Sequence, residues 1–83
     1  MKLVYFAWIR ERVGVAEEEA EVPADVATVD DLLAWLAGRG PGYAYALERP
    51  EVVRVALDRV HAPHDAPIAG VREIALFPPM TGG

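Results

Sequence analysis

The sequence contains no cysteine. That excludes a disulfide framework, a thiolate metal site and a cysteine nucleophile, so any sulfur this protein handles is supplied from elsewhere. Lysine is almost missing as well: Lys2 stands alone beside seven arginines. The basic residues are outnumbered by 13 acidic ones, and the net charge is −5. This balance argues against a nucleic-acid partner, whose phosphates call for clustered Lys and Arg. It suits a protein partner with a basic surface. No apolar run approaches the ~20 residues that cross a bilayer, so no membrane role is expected. The N-terminal "MKLVYFAWIR" has a single Lys, and no small-residue cleavage site follows its short apolar run. It reads as a strand of a cytoplasmic protein rather than as a signal peptide. No Ser-His-Asp set or spaced carboxylate pair emerges, so the chain is not expected to be a catalyst alone.

What is present is enough for one small globular domain over residues 1–83. The composition is 53% hydrophobic and 25% charged, which is globular rather than disordered. A chain this short buries roughly 60–65% of its unfolded surface. Lys2–Ile9 is rich in β-branched and aromatic residues and reads as a strand, followed by a turn at Arg10–Gly14. Glu17–Val22 is charged and runs into Pro23, as an edge strand would. "TVDDLLAWLAGRG" predicts the main helix. Thr28 can cap it, Asp30 and Asp31 suit its positive end, and Gly38 or Gly40 can stop it. Val29, Leu32, Leu33 and Leu36 then form one apolar stripe. "YAYALE" predicts a further helical turn. "VVRVALDRVH" predicts a hairpin turning near Asp58-Arg59, and Arg72–Phe77 the last strand, which Pro78 and Pro79 must end. The order of elements predicts an α+β fold, a mixed sheet of β-grasp type with one main helix packed on one face.

Alternate residues of a strand face opposite ways. With Lys2 placed in water, Val4, Phe6 and Trp8 share its outward face. Ala56 in the hairpin and Ala75 and Phe77 in the last strand fall on the same side. So apolar a face, uncovered by the helix, predicts a protein interface.

The chain closes on "FPPMTGG". Gly82-Gly83 can enter a channel too narrow for any side chain, and Pro78-Pro79 holds the root of the tail extended. A carboxylate is a poor electrophile until a partner enzyme adenylates it with ATP; sulfur or an amine can then attack. The tail therefore suggests a carrier whose reactive group is its own C-terminus.

Carried by "EIALFPPMTGG", then by "VYFAWIRERVG" and "TVDDLLAWL", the whole chain resembles the small subunits of molybdopterin synthase. These are the ubiquitin-like sulfur carriers of molybdenum cofactor synthesis. The resemblance implies a β-grasp fold and adenylation of Gly83 by an E1-like activating enzyme. It implies conversion of Gly83 to a thiocarboxylate with sulfur from a donor protein, and insertion of the tail (Pro78, Pro79, Met80, Thr81, Gly82) into the large synthase subunit. Sulfur would pass there to cyclic pyranopterin monophosphate, with small subunits at the two ends of a large-subunit dimer, a heterotetramer. Phe6 and Phe77 match positions that pack on that partner, and Trp8 and His61 are taken with them. No bound cofactor is implied; ATP is used by the activating enzyme. The chain departs from the family in having Asp58 where Asn is usual, His61 at an apolar contact position, and "AGVRE" in place of an acidic-Gly-acidic turn.

Two other readings use the same tail: a ubiquitin-like modifier joined to lysines through Gly83, and a sulfur carrier for another product such as thiazole. A purely structural binding module would need no free terminus. His61 and His64 form an H-x-x-H pair, but a loop pair lacks the helix that gives such spacing meaning, so no metal is expected. Trp35 beside the helical stripe reads as half-buried packing, Thr81 as a small spacer, and Glu17, Glu18, Glu19 and Glu21 as a solvated edge.

Overall fold

The computed structural model describes residues 1–79. In chain order it contains β1 (Lys2–Tyr5), α1 (Ala7–Val13), β2 (Glu17–Glu19), α2 (Val29–Ala37), α3 (Pro41–Ala46), a 3-10 turn (Pro50–Val52), β3 (Arg54–Leu57), β4 (Val60–Ala62) and β5 (Glu73–Phe77). The strands form one five-stranded sheet in the order β2-β1-β5-β3-β4. Only β1 and β5 are parallel neighbours; the other three pairings are antiparallel. The sheet is therefore mixed, and the strand made last lies at its centre.

α2 forms as its sequence predicts. Asp31 N–H donates to Thr28 Oγ1 and Thr28 N–H donates to Asp31 Oδ2, both at 3.2 Å, a reciprocal capping box. Val29, Leu32, Leu33 and Leu36 are all buried. They meet Leu3, Tyr5, Val55, Ile74 and Leu76 from the sheet, and Val53 just before β3, in one core. The β3–β4 hairpin turns at Asp58-Arg59, where both residues have positive φ, 49° and 70°. That handedness matches the twist of the flanking strands. The Asp58 carboxylate also accepts the backbone N–H groups of Arg72 and Glu73 at 3.0 and 2.9 Å, so the turn fixes the entry to β5. "YAYALE" lies largely within α3.

The first strand is shorter than predicted. β1 ends at Tyr5, and residues 7–13, expected as strand end and turn, form α1. Phe6 is its extended N-cap, and Gly14, at φ 99°, closes it by donating to Arg10 O at 2.8 Å. Both periods were available to this stretch. Helix prevails because it buries Ile9 completely and lays α1 against α3. The approach of those two helices is so close that a Cβ on Gly42 would stand 2.7 Å from Arg12 O. The edge strand, too, is three residues long rather than six.

Candidate functional site: the open sheet face and the root of the tail

The sheet has two unlike faces. Ile74 and Leu76 of β5 point into the core and have 0% exposure. Glu73, Ala75 and Phe77, alternating with them, are half-buried on the other side. The register carries this open face across the sheet. Val4 is level with Ala75, Ala75 with Ala56, and Ala56 with His61. Phe77 lies opposite Arg54, and its ring is 5.6 Å from that of His61, centroid to centroid. Phe6 N–H donates to Leu76 O at 3.1 Å, which extends the β1–β5 pairing by one residue and brings Phe6 level with Phe77. Phe6 is 46% exposed. An apolar strip thus runs over four strands and ends where Pro78 and Pro79 leave β5.

Of the residues expected on this face, Val4, Phe6, Ala56, Ala75, Phe77 and His61 come together. Trp8 does not. It belongs to α1, packs partly buried against the core, and carries the Arg12 guanidinium 4.6 Å from its ring centroid. Arg12 lies between Trp8 and Tyr45, 3.9 Å from the second ring. Strand parity cannot be carried past Tyr5, where the backbone changes period. Arg54, beside Phe77, was missed as a member of the site; its place opposite Phe77 depends on a register that only pairing of β3 with β5 sets. Pro78 and Pro79 are half-buried beyond the last ladder bond, whereas Met80, Thr81, Gly82 and Gly83 lie outside the described residues.

The opposite rim is polar. Lys2 Nζ sits 3.2 Å from Glu17 Oε2 and 3.7 Å from Glu73 Oε1. On the helix side of the same edge, the Glu18 carboxylate accepts from Tyr5 OH at 2.7 Å and Tyr43 OH at 2.6 Å and pairs with Arg39 at 3.1 Å. Burial alone would raise the Glu18 carboxyl, but the two phenol hydrogen bonds and Arg39 outweigh it and hold it below its ordinary range. Burial and the Glu18 carboxylate push both phenols up. Glu18 was read as part of a solvated edge; instead it ties the edge strand to α3. His64 Nε2 is 2.7 Å from Val53 O, and its Nδ1 is 3.5 Å from Asp30 Oδ1, so this ring links the entry to β3 with the start of α2. His61 faces the open strip, apart from His64 in role. Among the described residues no cluster of three or more potential metal ligands occurs, and no helix is long and apolar enough to cross a membrane.

A sequence profile described as the ThiS family matches residues 3–83. The chain belongs to the ThiS family. Within it, the chain is 36% identical to the molybdopterin synthase sulfur carrier subunit of Escherichia coli, over 100% of its own length and 99% of that protein. It is 34% identical to the protein of that name in Haemophilus influenzae, with the same coverage. This ThiS family member also matches the crystal structure of SAMP1 from Haloferax volcanii, with a TM-score of 0.71 at 30% identity, covering 100% of the chain and 98% of that structure. A putative molybdopterin converting factor subunit 1 from Pyrococcus furiosus matches with a TM-score of 0.63 at 26% identity over 95% of each chain. The β-grasp, ubiquitin-like fold expected from the order of elements is the fold of these neighbours.

Proposed function

We propose that this protein is the sulfur-carrier subunit of a molybdopterin synthase, acting in molybdenum cofactor biosynthesis. The observation that carries this reading is its end-to-end relationship to two sulfur carrier subunits of that enzyme. The open apolar strip supports it, because it supplies a docking face that leads directly to the root of the tail. In this reading the large synthase subunit covers Phe6, Phe77, Ala75 and His61, and Pro78–Gly82 enters its active site. Trp8, on the flank formed by α1, contributes at the margin of that contact.

The chemistry requires Gly83 as a free carboxylate. An activating enzyme transfers AMP from ATP to that carboxylate and releases pyrophosphate. Sulfur delivered by the donor at the oxidation level of hydrosulfide then attacks the acyl carbon, the acyl–oxygen bond breaks as AMP leaves with its electron pair, and a thiocarboxylate remains. Its sulfur attacks cyclic pyranopterin monophosphate in the large subunit; water then attacks the acyl carbon and the acyl–sulfur bond breaks, leaving sulfur on the acceptor and returning the carboxylate. In this reading the chain supplies its terminal carboxylate, which attacks the α-phosphorus of ATP and later carries the sulfur, together with the delivery of that group, and ATP serves the activating enzyme rather than a site on this chain. In this reading the protein works in the cytoplasm.

Intact mass tests the reading. After incubation with ATP, a matching activating enzyme and a sulfur source, the chain should gain the mass of one oxygen replaced by sulfur, confined to its C-terminal peptide. Deleting Gly83 should abolish that gain and all dithiolene formation while leaving the melting temperature unchanged. Full activity of the truncated chain would overturn it. The likeness to SAMP1, a small archaeal modifier protein, supports a second reading in which the same activated Gly83 is joined to a lysine of another protein. Lysine-linked adducts in extracts containing no sulfur source would favour it.

A further inference from the structure

An activated glycine can be attacked by nitrogen as well as by sulfur, and this chain presents very little nitrogen able to attack. Seven of its eight basic side chains are arginine, whose guanidinium stays protonated and does not compete as a nucleophile. The one lysine, Lys2, lies on the open face between two carboxylates, Glu17 of β2 at 3.2 Å and Glu73 of β5 at 3.7 Å. The α-amino group of Met1 is held 3.3 Å from Glu19 Oε2. Both amino groups are therefore paired with acid at the same end of the sheet.

The tail is long enough for this to matter. Lys2 is level with Glu73, and the four further residues of β5 to Phe77 cover about 13 Å. Residues 78–83 span up to about 20 Å when extended. Chain length thus does not prevent Gly83 from meeting Lys2, in the same molecule or in another copy.

We propose that Glu17 and Glu73 hold Lys2 as an ammonium ion and thereby keep the activated C-terminus from acylating its own carrier, so that sulfur is the acceptor. This rests on the reading of Gly83 as an activated acyl group. In the reaction being suppressed, the lone pair of neutral Lys2 Nζ attacks the Gly83 acyl carbon. A C–N bond forms, the acyl–oxygen bond breaks, AMP leaves with that electron pair, and Nζ gives its proton to solvent. An ammonium ion has no lone pair to begin the attack. At pH 8 an ordinary lysine is neutral in about one molecule in 300, and each unit added to its pKa lowers that fraction tenfold. The hydrogen bond to Glu17, then the charges of Glu17 and Glu73, hold Lys2 above its ordinary value; slight desolvation and Arg59 oppose them. Glu19 adds a further acid on β2, next to Glu17 on the open face.

The test uses the full 83-residue chain made as a small-thiol thioester at Gly83, which needs neither ATP nor an activating enzyme. At pH 8 the unaltered chain should decay by hydrolysis, with little amide at Lys2 on peptide mapping. The double variant Glu17→Gln, Glu73→Gln should raise the Lys2 amide about threefold or more, because it removes both carboxylates that favour the ammonium and so frees more amine. Lys2→Arg sets the background. Equal Lys2 amide in the unaltered and double-variant chains, including none in either, would overturn the proposal. A second measurement needs no variant: the pH midpoint for acylation of Lys2 by a small ester, in the folded chain and in denaturant. The folded midpoint should be higher; equal midpoints would overturn the proposal. Because the thioester bypasses adenylation, failure here leaves the proposed function standing. A failure to form thiocarboxylate would leave this result standing.

Discussion

The two faces of β5 show how one strand serves two ends. Ile74 and Leu76 point toward α2 and are sealed, while Ala75 and Phe77, one residue away in each case, remain half-open. The inner pair is constrained by this chain's own packing, where the loss of a few methyl groups leaves a cavity. On the outer side the Phe77 ring stands 5.6 Å from the His61 ring, and Ala75 lies level with Val4 and Ala56. The lesson is that apolar residues on the inner face are explained by folding, and those on the outer face are the ones the proposed partner would cover.

Substitutions can break or sharpen that contrast. Leu76→Ala should cost about 3 kcal/mol of stability in a urea titration, the usual penalty for emptying a sealed leucine site. Gly42→Ala tests the α1–α3 contact on the helix side, since its Cβ would stand 2.7 Å from the Arg12 carbonyl oxygen. It should cost about 2 kcal/mol, the scale of an overpacked interior, and a neutral result would show that the helices separate easily. Glu18→Gln should cost about 1 to 2 kcal/mol at neutral pH, because it weakens charge-assisted hydrogen bonds that are largely shielded.

The pH dependence of that last effect has a definite sign. Folded Glu18 titrates below its ordinary value of 4.5. Its contribution is therefore complete above that value and is lost as the pH falls through the lower, folded one. The unaltered chain should lose stability there more steeply than Glu18→Gln. Tyr5 and Tyr43 titrate above their ordinary value of 10.0. Their contribution is complete below that pH and falls away as the pH rises beyond it. Phe77→Ala should have the smallest effect on the isolated chain, about 1 kcal/mol or less. It should nevertheless weaken binding to the large synthase subunit by about tenfold or more, as loss of an aromatic anchor does. If Phe77→Ala unfolds the chain as readily as Leu76→Ala, the distinction between the faces fails.

Much of the fold was legible because it rests on local chemistry. The Thr28 cap, the four-residue apolar stripe of α2, the turn at Asp58-Arg59 and the end of β5 at Pro78 each follow from a few neighbouring residues. The open strip was legible in part. Alternation placed Val4, Ala56, Ala75 and Phe77 correctly, since each stands on a strand of certain period. It misplaced Trp8, since the chain changes from strand to helix at Phe6–Ala7. Ala7 begins that helix with a φ of 52°, a conformation that no helix propensity or strand pattern favours.

The sequence by itself determined the identity of the elements with a single strong period, the placing of the small acidic chain in its family, and the diglycine on which the proposed chemistry depends. Tertiary structure alone decided where α1 begins, that β5 enters the centre of the sheet parallel to β1, and which carboxylates serve Lys2 and which serves Tyr5 and Tyr43. The reason is one of range. Caps, stripes and turns are set by residues three or four apart. The pairing of Lys2 with Glu73, of Phe77 with Arg54 and of Glu18 with Tyr43 joins residues 23 to 71 positions apart, and only a folded sheet brings them together.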